Sequence, residues 1–184
     1  MAILRQIAQL GHPVLRQVAV KIDAPGDAAV QALIDDLLAT VTDADGVGIA
    51  APQVFESRAL FIIASRPNSR YPHAPEMAPT AMINPEIIRV SEEMVPGWEG
   101  CLSIPGLRGL VPRHQRIAVR YTTRTGEVLE EEYTDFIARV FQHEYDHLQG
   151  LVFLDRVNST RDLVMEKEYM RRYAILKHEA QRDP

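Results

Sequence analysis

Nine residues, Gln142-His143-Glu144-Tyr145-Asp146-His147-Leu148-Gln149-Gly150, restrict this chain more than any other stretch. Asp135 is positioned to cap a helix that Gly150 stops, and apolar Ile137, Val140, Phe141 and Leu148 occupy more than one of its faces. A helix apolar on several faces is deeply buried. Along it His143 and His147 stand one turn apart on one face, so both imidazoles can reach a single metal ion. Glu144 leans over the same point, where a carboxylate is better placed to move protons to and from a metal-bound water than to ligate. The blander alternative is a buried helix whose histidines only form hydrogen bonds.

With 184 residues, 46% of them hydrophobic, the chain can build one domain with a proper core but not two comfortable ones. A single domain over residues 1–184 is expected. The net charge of −5 is spread without a basic stripe, which argues against DNA as a partner. No run approaches the ~18 consecutive apolar residues of a membrane span. The start, Met1-Ala2-Ile3-Leu4-Arg5-Gln6, has neither a signal core nor a transit pattern, so a cytoplasmic protein without a membrane partner is expected. One cysteine, Cys101, cannot form an internal disulfide, and its thiol is available for chemistry.

In chain order, Gly11, Pro13 and Pro25 break residues 1–25 into an irregular arm. Asp27 then caps a helix in which Val30, Leu33, Ile34, Leu37, Leu38 and Val41 recur at helical spacing, ending by Asp45-Gly46. Its Asp35 and Asp36 read as solvated surface. Gly46-Val47-Gly48-Ile49-Ala50-Ala51-Pro52-Gln53 lacks the third glycine and the helix of a phosphate loop. Its small residues make either a wall for an extended ligand, with Gln53 supplying a directed hydrogen bond, or a plain tight turn. Strands are predicted at 58–64, at 81–84 with 86–90 around Pro85, at 115–123 and at 127–134, the last two joined by a turn at Thr125-Gly126. Residues 66–79 hold four prolines and form a loop that rims or covers a site. Ser159 or Thr160 caps a final helix with an apolar stripe of Met165, Tyr169, Tyr173 and Leu176.

Two histidines leave a metal short of its third protein ligand, and Cys101, about forty residues upstream beside Gly100, is the natural candidate. One sulfur and two nitrogens make an open site with a fourth position for water. A lone cysteine is otherwise a small buried hydrophobe.

Three segments, Gly46 to Gln53, Glu99-Gly100-Cys101-Leu102-Ser103, and Gln142 to His147, resemble in order and spacing the three motifs of the peptide deformylases. That family removes the formyl group from the N-terminal formyl-methionine of new polypeptides. The resemblance implies an α+β fold, antiparallel sheets packed around a central metal-binding helix, here with a C-terminal helix. It implies one divalent metal held by Cys101, His143 and His147, usually Fe(II), although this donor set also accepts Zn, Ni or Co. Glu144 would be general base and acid, and Gln53 and the Leu102 N–H would donate to the formyl oxygen. Val47, Gly48 and Gly100 would pair with the extended substrate, Arg108 would contact it further along, and Val47, Val140 and His143 would line the methionine pocket. Phe136 and Trp98 are added to that wall. The implied partners are N-formyl-methionyl peptides of nascent chains and the ribosome near its exit tunnel. Ile49 stands where leucine is common, and the loop at 66–79 is longer than in many relatives.

Two rival readings stand beside it. A metallopeptidase of the His-Glu-x-x-His type would draw its third ligand downstream, from His178, Glu166 or Glu168. A catalytically silent relative would bind formylated peptides or the ribosome without needing Glu144 or Gln53.

Overall fold

The computed structural model describes residues 2–172. Asp27 accepts the Ala29 N–H at 2.7 Å and opens helix α1 (Ala28–Asp43). Val30, Leu33, Ile34, Leu37 and Val41 are buried along it, as their spacing predicts. Asp36 differs from the expectation. It is buried and accepts the Ile3 N–H and Arg5 Nε, both at 2.8 Å, so it pins the N-terminal arm to α1. Asp35 stays exposed and pairs with Arg124 at 3.0 Å.

Among the described residues, eight strands form two antiparallel sheets. The larger has the order β1-β2-β3-β6-β7: β1 (Gly48–Ala50), β2 (Leu60–Ile63), β3 (Thr80–Val90), β6 (Arg116–Thr122) and β7 (Val128–Thr134). Every residue of β2 is buried, because the sheet is covered on both faces. Leu60 and Ile62 point into a core shared with α1, while Phe61 and Ile63 point into one shared with the second helix. The segment from Gly46 is therefore neither a bare wall nor only a turn. It contains β1, the edge strand of this sheet, followed by a 3-10 turn (Ala51–Val54) that carries Gln53.

The smaller sheet, in the order β4-β5-β8, comprises β4 (Met94–Cys101), β5 (Ile104–His114) and β8 (Leu163–Met165). The β4–β5 hairpin closes on the two residues Leu102 and Ser103, and Cys101 ends its first strand. No strand was expected between 91 and 114, where Pro96, Gly97, Pro105, Gly106, Gly109 and Pro112 obscure the alternation.

Helix α2 (Asp135–Leu148) follows the β6–β7 hairpin directly and packs against β1, β2, β5, β6 and β7. Its cap is not the expected Asp135. Thr134 occupies that position without a side-chain bond, and Asp135 is the first helical residue, its carboxylate taken by Gln115 Nε2 at 3.1 Å. Gly150 ends the helix as predicted, in the left-handed region at φ 72°, with Leu151 N–H returning to the Asp146 carbonyl at 2.9 Å. A side chain there would meet the Arg16 backbone at 2.8 Å.

The C-terminal helix begins later than expected. Ser159 caps only a 3-10 turn (Thr160–Asp162), β8 intervenes, and helix runs over 166–172. Met165 consequently lies on a strand and is exposed. Pairing of β8 with β5 decides this stretch, since three residues of favourable ladder outweigh a weak helical start. Tyr173, Leu176 and His178 lie outside the described residues.

Candidate metal centre and active site

Two elements bring the three donors together. Helix α2 presents His143 and His147 from successive turns, and the end of β4 brings Cys101 against them. All three are buried, and one ligand atom from each lies within 4.8 Å of the others. Cys101 Sγ is 3.3 Å from His147 Nε2. Metal–sulfur and metal–nitrogen bonds of zinc-like length set tetrahedrally place the two ligand atoms about 3.5 Å apart, so the donor set fits a divalent ion.

Glu99 orients one of these three candidate donors. Its Oε2 takes His143 Nδ1 at 2.9 Å, which leaves the Nε2 lone pair free for an ion. Glu99 is held in turn by Arg113 through two bonds of 2.9 and 3.0 Å and by Arg139 at 2.9 Å. Burial works against its charge, yet Arg113 and His143 keep its carboxyl well below the usual range. Burial likewise opposes a charged His143, but Cys101 and Glu99 raise its basicity. His147 moves the other way, through burial and the neighbouring His143. Its Nδ1 is buried with no hydrogen-bond partner among the described residues.

Glu144 lies beside the three donors without joining them. Burial pushes its carboxyl up to about 7, the Glu99 charge adds to this, and His143 and Arg113 oppose it. Its Oε2 is buried and has no partner among the described residues. A bound divalent cation would pull this value down again. Gly48 makes room for the side chain: a β-carbon there would stand 2.5 Å from Glu144 Oε1 and 2.9 Å from Cδ.

These residues open on a cavity of about 510 Å³, its mouth included. Val47, Gly48, Gln53, Gly100, Cys101, Leu102, Val140, His143 and Glu144 line it, and so do Phe136 and Trp98. His147 lies behind the lining, fully buried. Arg108 is not brought to the cavity wall. It is buried on β5 opposite Gly100, stacked between the rings of Tyr71 and Tyr169 and paired with Glu166 at 3.0 Å.

Glu99, Arg113, Arg139 and Tyr71 were missed as site residues by sequence reasoning. Tyr71, from the Pro-rich loop, lines the cavity and takes the Gly100 N–H at 3.2 Å. Glu99 was legible in one respect, since it stands two residues before Cys101 and a strand puts both on one face. Arg113 and Arg139 gave no local signal, because each meets Glu99 only once the β4–β5 hairpin has formed and α2 has packed on it.

A family model described as polypeptide deformylase matches residues 4–162. Peptide deformylase 2 of Nostoc sp. is 61% identical over 166 residues, which cover 90% of this chain and 93% of that protein. Peptide deformylase 2 of Shewanella oneidensis is 46% identical over 162 residues, covering 88% and 89%. The Met-Ala-Ser-bound crystal structure of class I type b peptide deformylase from Acinetobacter baumannii matches with a TM-score of 0.83 at 44% identity, over 85% of this chain and 100% of that one. Matches of this extent, around a buried Cys-His-His cluster, make the chain a member of the polypeptide deformylase family, metal-dependent hydrolases that remove the N-terminal formyl group from nascent polypeptides.

Proposed function

We propose that Cys101, His143 and His147 hold one divalent ion, Fe(II) in the cell, and that Glu144 carries the proton during deformylation. The observation behind this reading is the buried Glu144 carboxylate, one oxygen unpartnered among the described residues, beside three donors within 4.8 Å of one another. A divalent ion there supplies Lewis acidity, polarising a carbonyl and acidifying water. Glu144 accepts a proton from the attacking water as its oxygen bonds to the formyl carbon. Gln53 Nε2 and the Leu102 N–H donate to the formyl oxygen as charge builds on it. Glu144 then returns the proton to the nitrogen as the carbon–nitrogen bond breaks, and formate leaves a free amine.

The substrate lies as an added strand along the open edge of β1, where Val47 and Gly48 pair with its backbone. Gly100 faces it from β4, once Tyr71 releases its N–H. Val47, Val140 and the apolar side of His143 receive the methionine side chain. The Acinetobacter relative, crystallised with Met-Ala-Ser, supports a peptide of this length in the cavity. Residues 1–184 act as one catalytic unit, in the cytoplasm and near the ribosomal exit tunnel. No helix among the described residues is long and apolar enough to cross a membrane.

The test is formyl-Met-Ala-Ser hydrolysis by anaerobically purified protein, with metal content measured on the same sample. Formate release with one iron per chain is expected. Metal-loaded protein that yields no formate but cuts internal bonds of an unblocked protein would overturn the reading in favour of a metallopeptidase.

A further inference from the structure

We infer that Ser103 is a positioning residue for the Gln53 amide, aligning it toward the reacting oxygen through a buried hydrogen bond that the N-terminal arm locks in register. The inference rests on the reading of Gln53 as a donor in deformylation and extends it outward by one residue.

Gln53 and Ser103 are both buried, at 1% and 0% exposure. The Gln53 amide is gripped at both ends. Its Oε1 accepts the Ala50 N–H at 2.8 Å, which decides which end of the amide faces the metal donors. Its Nε2 donates to Ser103 Oγ at 3.1 Å and faces Cys101 Sγ at 3.5 Å. An amide nitrogen has two hydrogens. Ser103 takes one, and the other is directed at the Cys101 sulfur, where Gln53 and Cys101 both line the cavity. The last torsion of a glutamine is broad, so hydrogen bonds rather than rotamer sterics set the amide plane. Without the Ser103 oxygen, that plane would rest on Ala50 and the sulfur alone.

The two residues come from different elements, the 3-10 turn after β1 and the two-residue turn between β4 and β5. One strap joins them. The Ala8 N–H donates to the Gln53 carbonyl and the Leu10 N–H to the Ser103 carbonyl, both at 2.8 Å. In extended chain, N–H groups two residues apart point to the same side, so a single arm can hold both turns. The arm is anchored by buried Ala8, Val14 and Leu15 and by the Arg5–Asp36 pair. The Gln53–Ser103 bond therefore forms between backbones already fixed in place.

The test is a double-mutant cycle on the metal-loaded full chain, using Ser103→Ala, Gln53→Ala and the double variant, with kcat, KM, metal content and the thermal midpoint measured for each. Ser103→Ala should lower kcat on the order of tenfold, a part of what loss of an entire donor costs, with KM and metal content close to wild type. In the Gln53→Ala background, the same change should have no further effect on kcat. Should Ser103→Ala fold poorly, Ser103→Thr and Ser103→Val compare the same shape with and without the hydroxyl, and only the valine variant should be slow. An equal loss of kcat from Ser103→Ala in both backgrounds, or an unaltered kcat in a chain slowed by Gln53→Ala, would overturn the positioning role alone. Full turnover by Gln53→Ala would instead strike the donor reading of Gln53, and the inference with it.

Discussion

The α-carbon of Gly48 on β1 and the carboxylate of Glu144 on α2 are in such close contact that one added methyl group cannot be placed between them. A β-carbon on Gly48 would stand 2.5 Å from Oε1, 2.9 Å from Cδ and 3.0 Å from Cγ of Glu144. Three atoms of a buried side chain are involved, so rotating its tip does not relieve the overlap. Gly48→Ala should therefore displace Glu144, slow turnover at least about tenfold, and leave the three metal donors untouched. Metal analysis beside kcat measures both; an unimpaired kcat would mean that the proton carrier tolerates the shift.

Proton transfer and metal binding should separate at Glu144. Glu144→Gln keeps the shape of the side chain but removes its basicity, so the metal should stay bound while turnover falls roughly a hundredfold or more. Metal content and single-turnover rates on formyl-Met-Ala-Ser provide the check, and near-normal rates would remove Glu144 from the mechanism.

They should not separate at Cys101. Its sulfur lies 3.3 Å from His147 Nε2, and no other cysteine exists to replace it. Cys101→Ala should lose tight metal binding and activity together. A variant that retains one metal per chain and full turnover would refute the ligand assignment.

Glu99 carries two burdens that one substitution exposes together. It orients His143 at 2.9 Å and neutralises Arg113 and Arg139. Glu99→Ala should weaken metal affinity by about ten- to a hundredfold, as loss of an outer partner of a metal-bound histidine does. It should also destabilise the fold by about 3–5 kcal/mol, because Arg113 is left buried beside Asp146 alone. Chelator competition measures the first effect and urea unfolding of the metal-free protein the second; unaltered metal affinity would deny the orienting role.

Asp36 gives the fold a dependence on acid. Burial works against its charge, but the Ile3 N–H and Arg5 outweigh it and hold the carboxyl below its ordinary value of 3.8. A group depressed in the folded state contributes stability above its unfolded value and loses it as pH falls through the folded one. The contribution should be complete above about pH 4 and fade below it. Asp36→Asn should cost about 1–3 kcal/mol at pH 7, and the difference from wild type should shrink below pH 4. Urea unfolding at pH 7 and pH 3 tests the sign, and a difference that grows in acid would contradict it.

Local chemistry alone determined a good part of this protein. The Asp27 cap and the spacing of Val30 to Val41 specify α1, Gly150 specifies where α2 stops, and the β6–β7 hairpin follows from alternation and a turn at Thr125-Gly126. The pair His143 and His147 needs only helical geometry to face one point, which is why the candidate centre was legible before the fold. Tertiary structure decided the rest, since the deciding partners lie far away in sequence. Asp36 reads as surface until Ile3 and Arg5 arrive from more than thirty residues off. The β4–β5 hairpin is hidden by its own prolines and glycines until β8 and α2 pack on it. Local propensities along 159–165 favour a helix start, yet the ladder with β5 makes its end a strand. Periodicity is a property of neighbouring residues and survives in sequence; burial, charge pairing and the crowding of Gly48 against Glu144 are properties of distance in space, and only the folded chain sets those.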